Sequence, residues 1–280
     1  MNRRPATGRK LLDLAVRVAA SLAALAGILA LLWILGVVVQ RGFGALDLAF
    51  FTELPSPPGS TEGGLASAIL GTLMLTGAAT LVGVPIGMLA GVYLAELGRK
   101  SRFGAAVRFS VNVLMGLPSI LVGLFVWTLL VVPFGGFSGH AGAVALALIM
   151  LPVVARTTED MLALVPNALR EGALALGTPR WQVTLIVFRA ARGGLITGVL
   201  LAVARVSGET APLLFTALNS PFWPASFSEP VSNLTVTIFQ YAMSPYEDWQ
   251  AKAWGASLLI MAGVLATTVV ARTLAREKKR

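Results

Sequence analysis

The sequence predicts an all-α, polytopic membrane protein with about six transmembrane spans, and three observations carry that prediction. Of the 280 residues, 56% are hydrophobic and only 12% charged; a soluble chain of this length needs far more charge to cover its surface. The apolar residues fall in runs that approach or exceed the roughly 20 residues needed to cross a hydrocarbon core of about 30 Å. The charges sit in short clusters between those runs, the distribution that membrane insertion leaves. The net charge of +9 therefore points to a bilayer and not to nucleic acid.

The first run, Val18–Val39, follows Arg3, Arg4, Arg9, Lys10 and Arg17. It exceeds the 7–15 apolar residues typical of a signal peptide and ends in Val-Val-Val-Gln without a small-residue cleavage site. It is read as a retained first span. The others are Leu65–Ala95, Phe109–Val132, Ala141–Ala155, Gly193–Leu218 and Ala253–Ala271. The fourth is short unless it borrows from Gly135–Gly139, and the fifth carries Arg205 and Glu209 inside it. These runs divide the chain into a basic amino terminus (1–17), a first span (18–39) and an outer loop (40–64). A permease-like membrane domain (65–274) and a basic tail (275–280) follow.

Charge then sets the expected orientation. Arg99, Lys100, Arg102 and Arg108 lie between spans two and three; Arg156, Arg170, Arg180, Arg189 and Arg192 lie between spans four and five. With the basic terminus and the end of the chain from Arg272 onward, these segments hold every Lys and Arg except Arg41, Lys252 and the intramembrane Arg205. Basic residues stay on the cytoplasmic side, so both termini are expected there. The opposite loops are turn-rich, and the longer, Asn219–Gln250, carries Phe222, Trp223, Phe227, Tyr241, Tyr246 and Trp249. It is expected to be a connector whose aromatics lie at headgroup level, with a docking surface as the alternative.

Within the spans, Gly83-Val-Pro-Ile-Gly87-Met-Leu-Ala-Gly91 places glycines four apart on one helix face, where another backbone can approach. Pro85 and Pro118 should kink or unwind their helices. The sharpest polar signal is Ala204-Arg-Val-Ser-Gly-Glu-Thr-Ala-Pro212. If helical, Arg205 and Glu209 are i, i+4 and can pair. Charges at mid-membrane cost about 2.5–3.5 kcal/mol each on insertion scales and are kept where they face a polar cavity. The pair therefore fits either a substrate path, with Ser207 and Thr210 as weaker hydroxyl donors, or an ion pair that fixes the bundle.

The cytoplasmic segment 157–192 reads as helix, break, helix: Pro166–Leu176, then Gly177-Thr-Pro179, then a new helix from Arg180. Leu169, Ala173 and Leu176 share one side, beside Arg170 and Glu171. Such an element either lies on lipid or projects as a knob for a cytoplasmic partner.

Here Glu171-Gly172-Ala173, with Gly177 four residues on, resembles the coupling loop of binding-protein-dependent ABC importers, which reads Glu-Ala-Ala, three residues, Gly. Gly172 replaces the first alanine, and the later Ile-x-Leu-Pro element appears as Val187-Phe-Arg-Ala190. Gly63–Thr72, Leu89–Glu96, Leu117–Phe125, Leu151–Glu159 and Arg205–Thr216 are similar to the PstA-type permease family of phosphate importers. The resemblance implies a type I importer permease and a role for Glu171, Gly172, Ala173 and Gly177 in coupling to ATP hydrolysis. It implies a second homologous permease, two ATP-binding subunits and an extracytoplasmic phosphate-binding protein as partners, all at the cytoplasmic (inner) membrane.

What the chain lacks agrees with that expectation. It has no Gly-x4-Gly-Lys-Ser/Thr loop, so it is not itself an ATPase; no cofactor is expected in the chain, and ATP is used by its partners. It has no cysteine and only His140, which excludes a metal cluster built on those ligands. An importer of another oxyanion, such as sulfate or molybdate, fits nearly as well. A secondary carrier with Glu209 as its proton site is the rival of a different class, although no internal repeat supports it.

Overall fold

The computed structural model describes residues 6–60 and 62–276. The expected basic residues Arg3, Arg4, Lys278, Lys279 and Arg280 lie outside them. The long helices are α1 (Ala6–Gly42), α3 (Ala66–Val92), α7 (Gly139–Ala163), α9 (Arg180–Val206) and α12 (Glu247–Arg276). Shorter elements are α2 (Leu48–Thr52), α4 (Arg102–Gly116), α5 (Ser119–Val126), α6 (Val132–Phe134), α8 (Asn167–Ala175), α10 (Ala211–Leu214) and α11 (Leu234–Ala242). A π-turn, Tyr93–Leu97, extends α3, and a second, Trp127–Val131, joins α5 to α6.

The centre of the bundle is the pairing of α3 with α7. A methyl group placed on Gly83 would lie 3.2 Å from the Ala147 carbonyl oxygen; on Gly87, 2.9 Å from that of Leu151; on Gly91, 2.5 Å from that of Ala155. The glycine stripe therefore does what its spacing predicts, bringing two backbones together where lipid supplies no hydrophobic drive. The matched pairs advance together along both chains, so α3 and α7 run parallel. Leu75, Ala79, Leu146, Met150 and Val154 bury themselves in this seam, with Ala202 and Val206 of α9 against it.

Parallel neighbours demand a return path. Only residues 98–138 are available, so α4, α5 and α6 must carry the chain back along the bundle as one broken span, making six in all. The break is local chemistry. Pro118 disfavours helical backbone at Leu117, which is extended (φ −73°, ψ 135°) and ends α4 at Gly116. The two halves meet at 103°, so the kink expected at Pro118 within Phe109–Val132 is a full break. Pro85, by contrast, does not interrupt α3.

The fourth run extends well beyond its expected end, because α7 continues through Arg156 to Ala163. That charge is tolerated because Arg156 Nε donates to Asp160 at 3.2 Å, while neighbouring Glu159 accepts from Arg108 of α4. The fifth span is also displaced. It runs from Arg180 to Val206, not from Gly193 to Leu218. Consequently the stretch between the long helices is residues 164–179, inside the expected 157–192.

Met161 meets Gly194, and Thr157 meets Gly198, so α9 runs antiparallel to α7. Thr197 of α9 donates to the Ala271 carbonyl of α12 at 3.2 Å, and Gly42 of α1 abuts Trp254 and Leu258 of α12. The last described residues thus lie toward the same end of the bundle as α8. The long loop Asn219–Gln250 is not a plain connector. It folds back inward: α11 buries Leu234, Thr235, Val236, Thr237 and Tyr241, and Tyr241 stacks on Trp249 with centroids 4.3 Å apart.

Candidate functional site

Two regions carry the residues singled out by sequence: the break after α9, and the turn around α8.

The helix α9 ends at Val206. Ser207 and Gly208 form a turn in which Gly208 N–H donates to the Arg205 carbonyl and Glu209 N–H to that of Val206. Pro212, in the first turn of α10, lacks an N–H, which that position does not need. Arg205 and Glu209 therefore do not share a continuous helix, and the expected i, i+4 pairing is corrected: neither forms an ion pair among the described residues. Arg205 is exposed on the chain's surface, and Glu209 and Thr210 are half-buried. Ser207 donates its hydroxyl back to the Ala204 carbonyl at 2.8 Å, closing the last turn of α9. It also lines a cavity of about 290 Å³ between α3, α9 and α12, with Thr72, Thr76 and Thr267 among apolar walls.

The broken segment is held from three sides. A methyl on Gly123 of α5 would lie 2.7 Å from Pro212 Cα, so α5 rests directly on the α10 backbone. Asn233 caps α11, its Oδ1 accepting from Val236 N–H at 2.9 Å, and its Nδ2 donates to the Leu218 carbonyl. Leu218 has φ of +55°, the only non-glycine with positive φ among the described residues, a conformation that a branched side chain adopts only under constraint. The hydroxyl of Thr235 donates to the Glu209 carbonyl. Asn233 and Thr235 are site residues that the sequence reading missed. Asn233 ahead of an apolar run is a helix-start signal, and it was available in the sequence.

At the other end, α8 stops by a Schellman arrangement. Thr178 N–H donates to the Ala173 carbonyl and Gly177 N–H to that of Leu174, with Gly177 left-handed at φ +78°. Glycine suits that position because it carries no Cβ. Gly172 has open space where a side chain would go, so nothing within the chain requires glycine there. Glu171 is exposed, as are Leu169, Leu174 and Leu176, the last at 87%. The expected apolar face of Leu169, Ala173 and Leu176 is thus mostly open; only Ala173 packs inward, against the cluster of Ala95, Leu162, Val183 and Val187. One further tie was not legible from sequence. Arg170 Nη2 donates to Glu96 at 2.7 Å and to the Leu162 carbonyl at 2.8 Å, and Nη1 to that of Val165 at 2.6 Å.

The chain is 50% identical over 254 residues to the phosphate transport system permease protein PstA of Yersinia pestis, covering 90% of this chain and 86% of that one. It is 46% identical over 273 residues to the PstA of Pasteurella multocida, covering 97% of each. The probable PstA of Methanocaldococcus jannaschii matches at 42% over 240 residues, 85% of this chain and 82% of that one. Among solved structures, the inward-facing MetNI methionine ABC transporter superposes with a TM-score of 0.65 at 20% identity, covering 76% of this chain and 95% of that one. A bacterial alginate ABC transporter in complex with its periplasmic protein gives 0.61 at 16% identity and 96% of each. These structural likenesses concern the fold. The family description, binding-protein-dependent transport system inner membrane component, matches residues 83–280, and the chain belongs to that family.

Proposed function

We propose that this chain is the permease subunit of an ATP-driven importer that moves inorganic phosphate across the cytoplasmic membrane. The observation that carries the reading is the 50% identity with a phosphate transport permease over 90% of the chain, which includes both the Arg205–Thr216 segment and the α8 turn. The chain supplies part of a path, and separate subunits supply the energy.

Each region then has a role. The exposed α8, with Glu171 at its surface and Gly177 setting the exit turn, fits a knob gripped by one of two ATP-binding subunits. The concentration of basic residues at that end supports placing it, and both termini, in the cytoplasm. At the other region, Arg205 is exposed on a single chain, which supports a path completed by a second, homologous permease. Its planar guanidinium matches an oxyanion's geometry, and Glu209, Thr210 and Ser207 surround the same break. The outer loops face an extracytoplasmic phosphate-binding protein. No cofactor is needed in the chain.

Phosphate uptake by the reconstituted complex, with and without ATP and the binding protein, tests the reading. Uptake is expected only with all components; uptake by this chain alone would establish a secondary carrier, and preference for sulfate or molybdate would reassign the substrate.

A further inference from the structure

Of the nine residues of α8, only Arg170 and Ala173 are not exposed. Ala173 offers a single methyl, so Arg170 is the main physical tie between α8 and the bundle. Its side chain is 12% exposed, and that of its partner Glu96 is 9%. The guanidinium meets the carboxylate through Nε at 3.2 and 3.3 Å and Nη2 at 2.7 Å. Its other donors reach the carbonyls of Leu162 and Val165 and, at 3.4 Å, Asn167 Oδ1. An arginine with this many fixed partners holds one geometry, which a lysine's point charge does not do.

Glu96 sits in the π-turn Tyr93–Leu97 at the end of α3. Widened turns of this kind rearrange the backbone ladder and recur at functional sites. A second arginine grips the same turn from another element. Arg108 of α4 donates through Nη2 to the Leu94 carbonyl at 2.8 Å and through Nε to Glu159 of α7. Leu94 and Ala95 are buried beneath both grips. The π-turn is thus joined on one side to α8 and on the other to the first half of the broken span, whose second half rests on α10 through Gly123 and Pro212.

Resting on the reading of α8 as the coupling element, we infer that the π-turn Tyr93–Leu97 relays movement of α8 into the broken span, with Glu96 and Arg170 as its positioning pair. The clamp stays closed through the cycle. When the ATP-binding subunits move α8, Glu96 follows, and Arg108 passes the displacement to α4 and onward through α5 to the Arg205–Thr216 break. Glu96 and Arg170 touch no substrate; they act through the elements they hold.

The test uses the full complex, in which this chain contributes no native cysteine. With Glu96→Cys and Arg170→Cys, phosphate moved per ATP hydrolysed should fall about 10-fold, in the range of typical coupling free energies, while ATP hydrolysis by the intact complex continues. Bridging the two thiols with a short bis-maleimide should restore the ratio. A merely structural role predicts equal loss of hydrolysis and uptake, and would overturn the relay. Normal coupling without the bridge, or inhibition by the bridge, would overturn it too. Should the double variant fail to assemble, Glu96→Gln decides: full coupling in the assembled variant sinks the proposal, and a reduced ratio at normal hydrolysis supports it. Glu171→Lys separates the two levels. If it uncouples while the clamp variants do not, the relay alone is wrong; if it transports normally, the reading of α8 falls first.

Discussion

Thr235 Oγ1 lies 2.9 Å from the Glu209 carbonyl oxygen, an acceptor that shares the hydroxyl with Asn233 Oδ1 at the same distance. The contact ties the second residue of α11 to the break after α9, so the inward-folded loop holds the very backbone that presents Arg205. Thr235 is buried, and removing a buried partner costs about 1–3 kcal/mol. Thr235→Val, nearly the same shape without the hydroxyl, should lower phosphate uptake several-fold at normal membrane level. Thr235→Ser should retain it. Equal uptake by both would show that this bond does not shape the path.

The glycine stripe of α3 gives a packing test with a built-in control. Gly87→Val puts a branched side chain against the Leu151 carbonyl and Val154 of α7, and overpacking costs about 1–3 kcal/mol or more. Gly77, on the same helix, has open space around it. The level of folded protein in detergent should drop for Gly87→Val and stay near normal for Gly77→Leu.

Six spans were legible because apolar runs and charge clusters report directly on burial in lipid. Their ends were not. Arg156 looks like a stop signal, yet it lies within α7 because Glu159 and Asp160, three and four residues on, offset its charge. That spacing is local; the hold of Arg108 on Glu159, 51 positions away, is not announced by any local pattern. The break at Ser207-Gly208 has a local mark, Gly208 followed by Pro212, but the apolar runs before and after it carry the hydropathy across, and packing against α5 and α11 fixes the break. The Glu96–Arg170 clamp joins residues 74 positions apart and was equally hidden. The α8 turn was legible, because Gly177 and Pro179 act through their own backbone.

Topology is open to a direct labelling test. Ser232 looks like an outer-loop position by sequence, but it is buried and would be a poor probe. Ser228 and Lys100 are exposed and lie at opposite ends of the bundle, one beside the start of α7 and the other beside the turn that meets Arg170. On the cysteine-free chain, Ser228→Cys should react with an impermeant thiol reagent from outside intact cells. Lys100→Cys should react only after permeabilisation. The reverse pattern would invert the proposed orientation.

The two glycines of α8 should behave differently. Gly177→Ala forces a Cβ into a left-handed position and should cost about 1 kcal/mol; Gly177→Asp adds charge at the exit turn and should uncouple ATP hydrolysis from uptake. Gly172→Ala meets open space and should strengthen the helix by about 1 kcal/mol, leaving uptake intact. Loss of uptake in Gly172→Ala, with the complex assembled, would mean that a partner subunit needs the missing side chain.

The final prediction concerns Arg205 and Glu209. Phosphate near neutral pH carries between one and two negative charges, so a low-dielectric path requires positive charge along it. Arg205 is exposed and has no ion-pair partner among the described residues, so its donors are open to an oxyanion or to the second permease. Arg205→Gln should reduce phosphate uptake at least about 10-fold, the loss of one charge-assisted hydrogen bond of about 1.5–3 kcal/mol, with assembly unchanged. Arg205→Lys keeps the charge but not the fork and should recover only part of it. Glu209→Gln should also impair uptake, because the carboxylate tunes the field at the same break. The exchange Arg205→Glu with Glu209→Arg discriminates sharply. A helical ion pair would survive it, whereas in this fold Val206 ends the helix between the two residues. The exchanged chain should therefore assemble and fail to transport. Restored transport would mean that the two side chains do meet in the working complex, and that their bond, not the position of the positive charge, is what uptake requires.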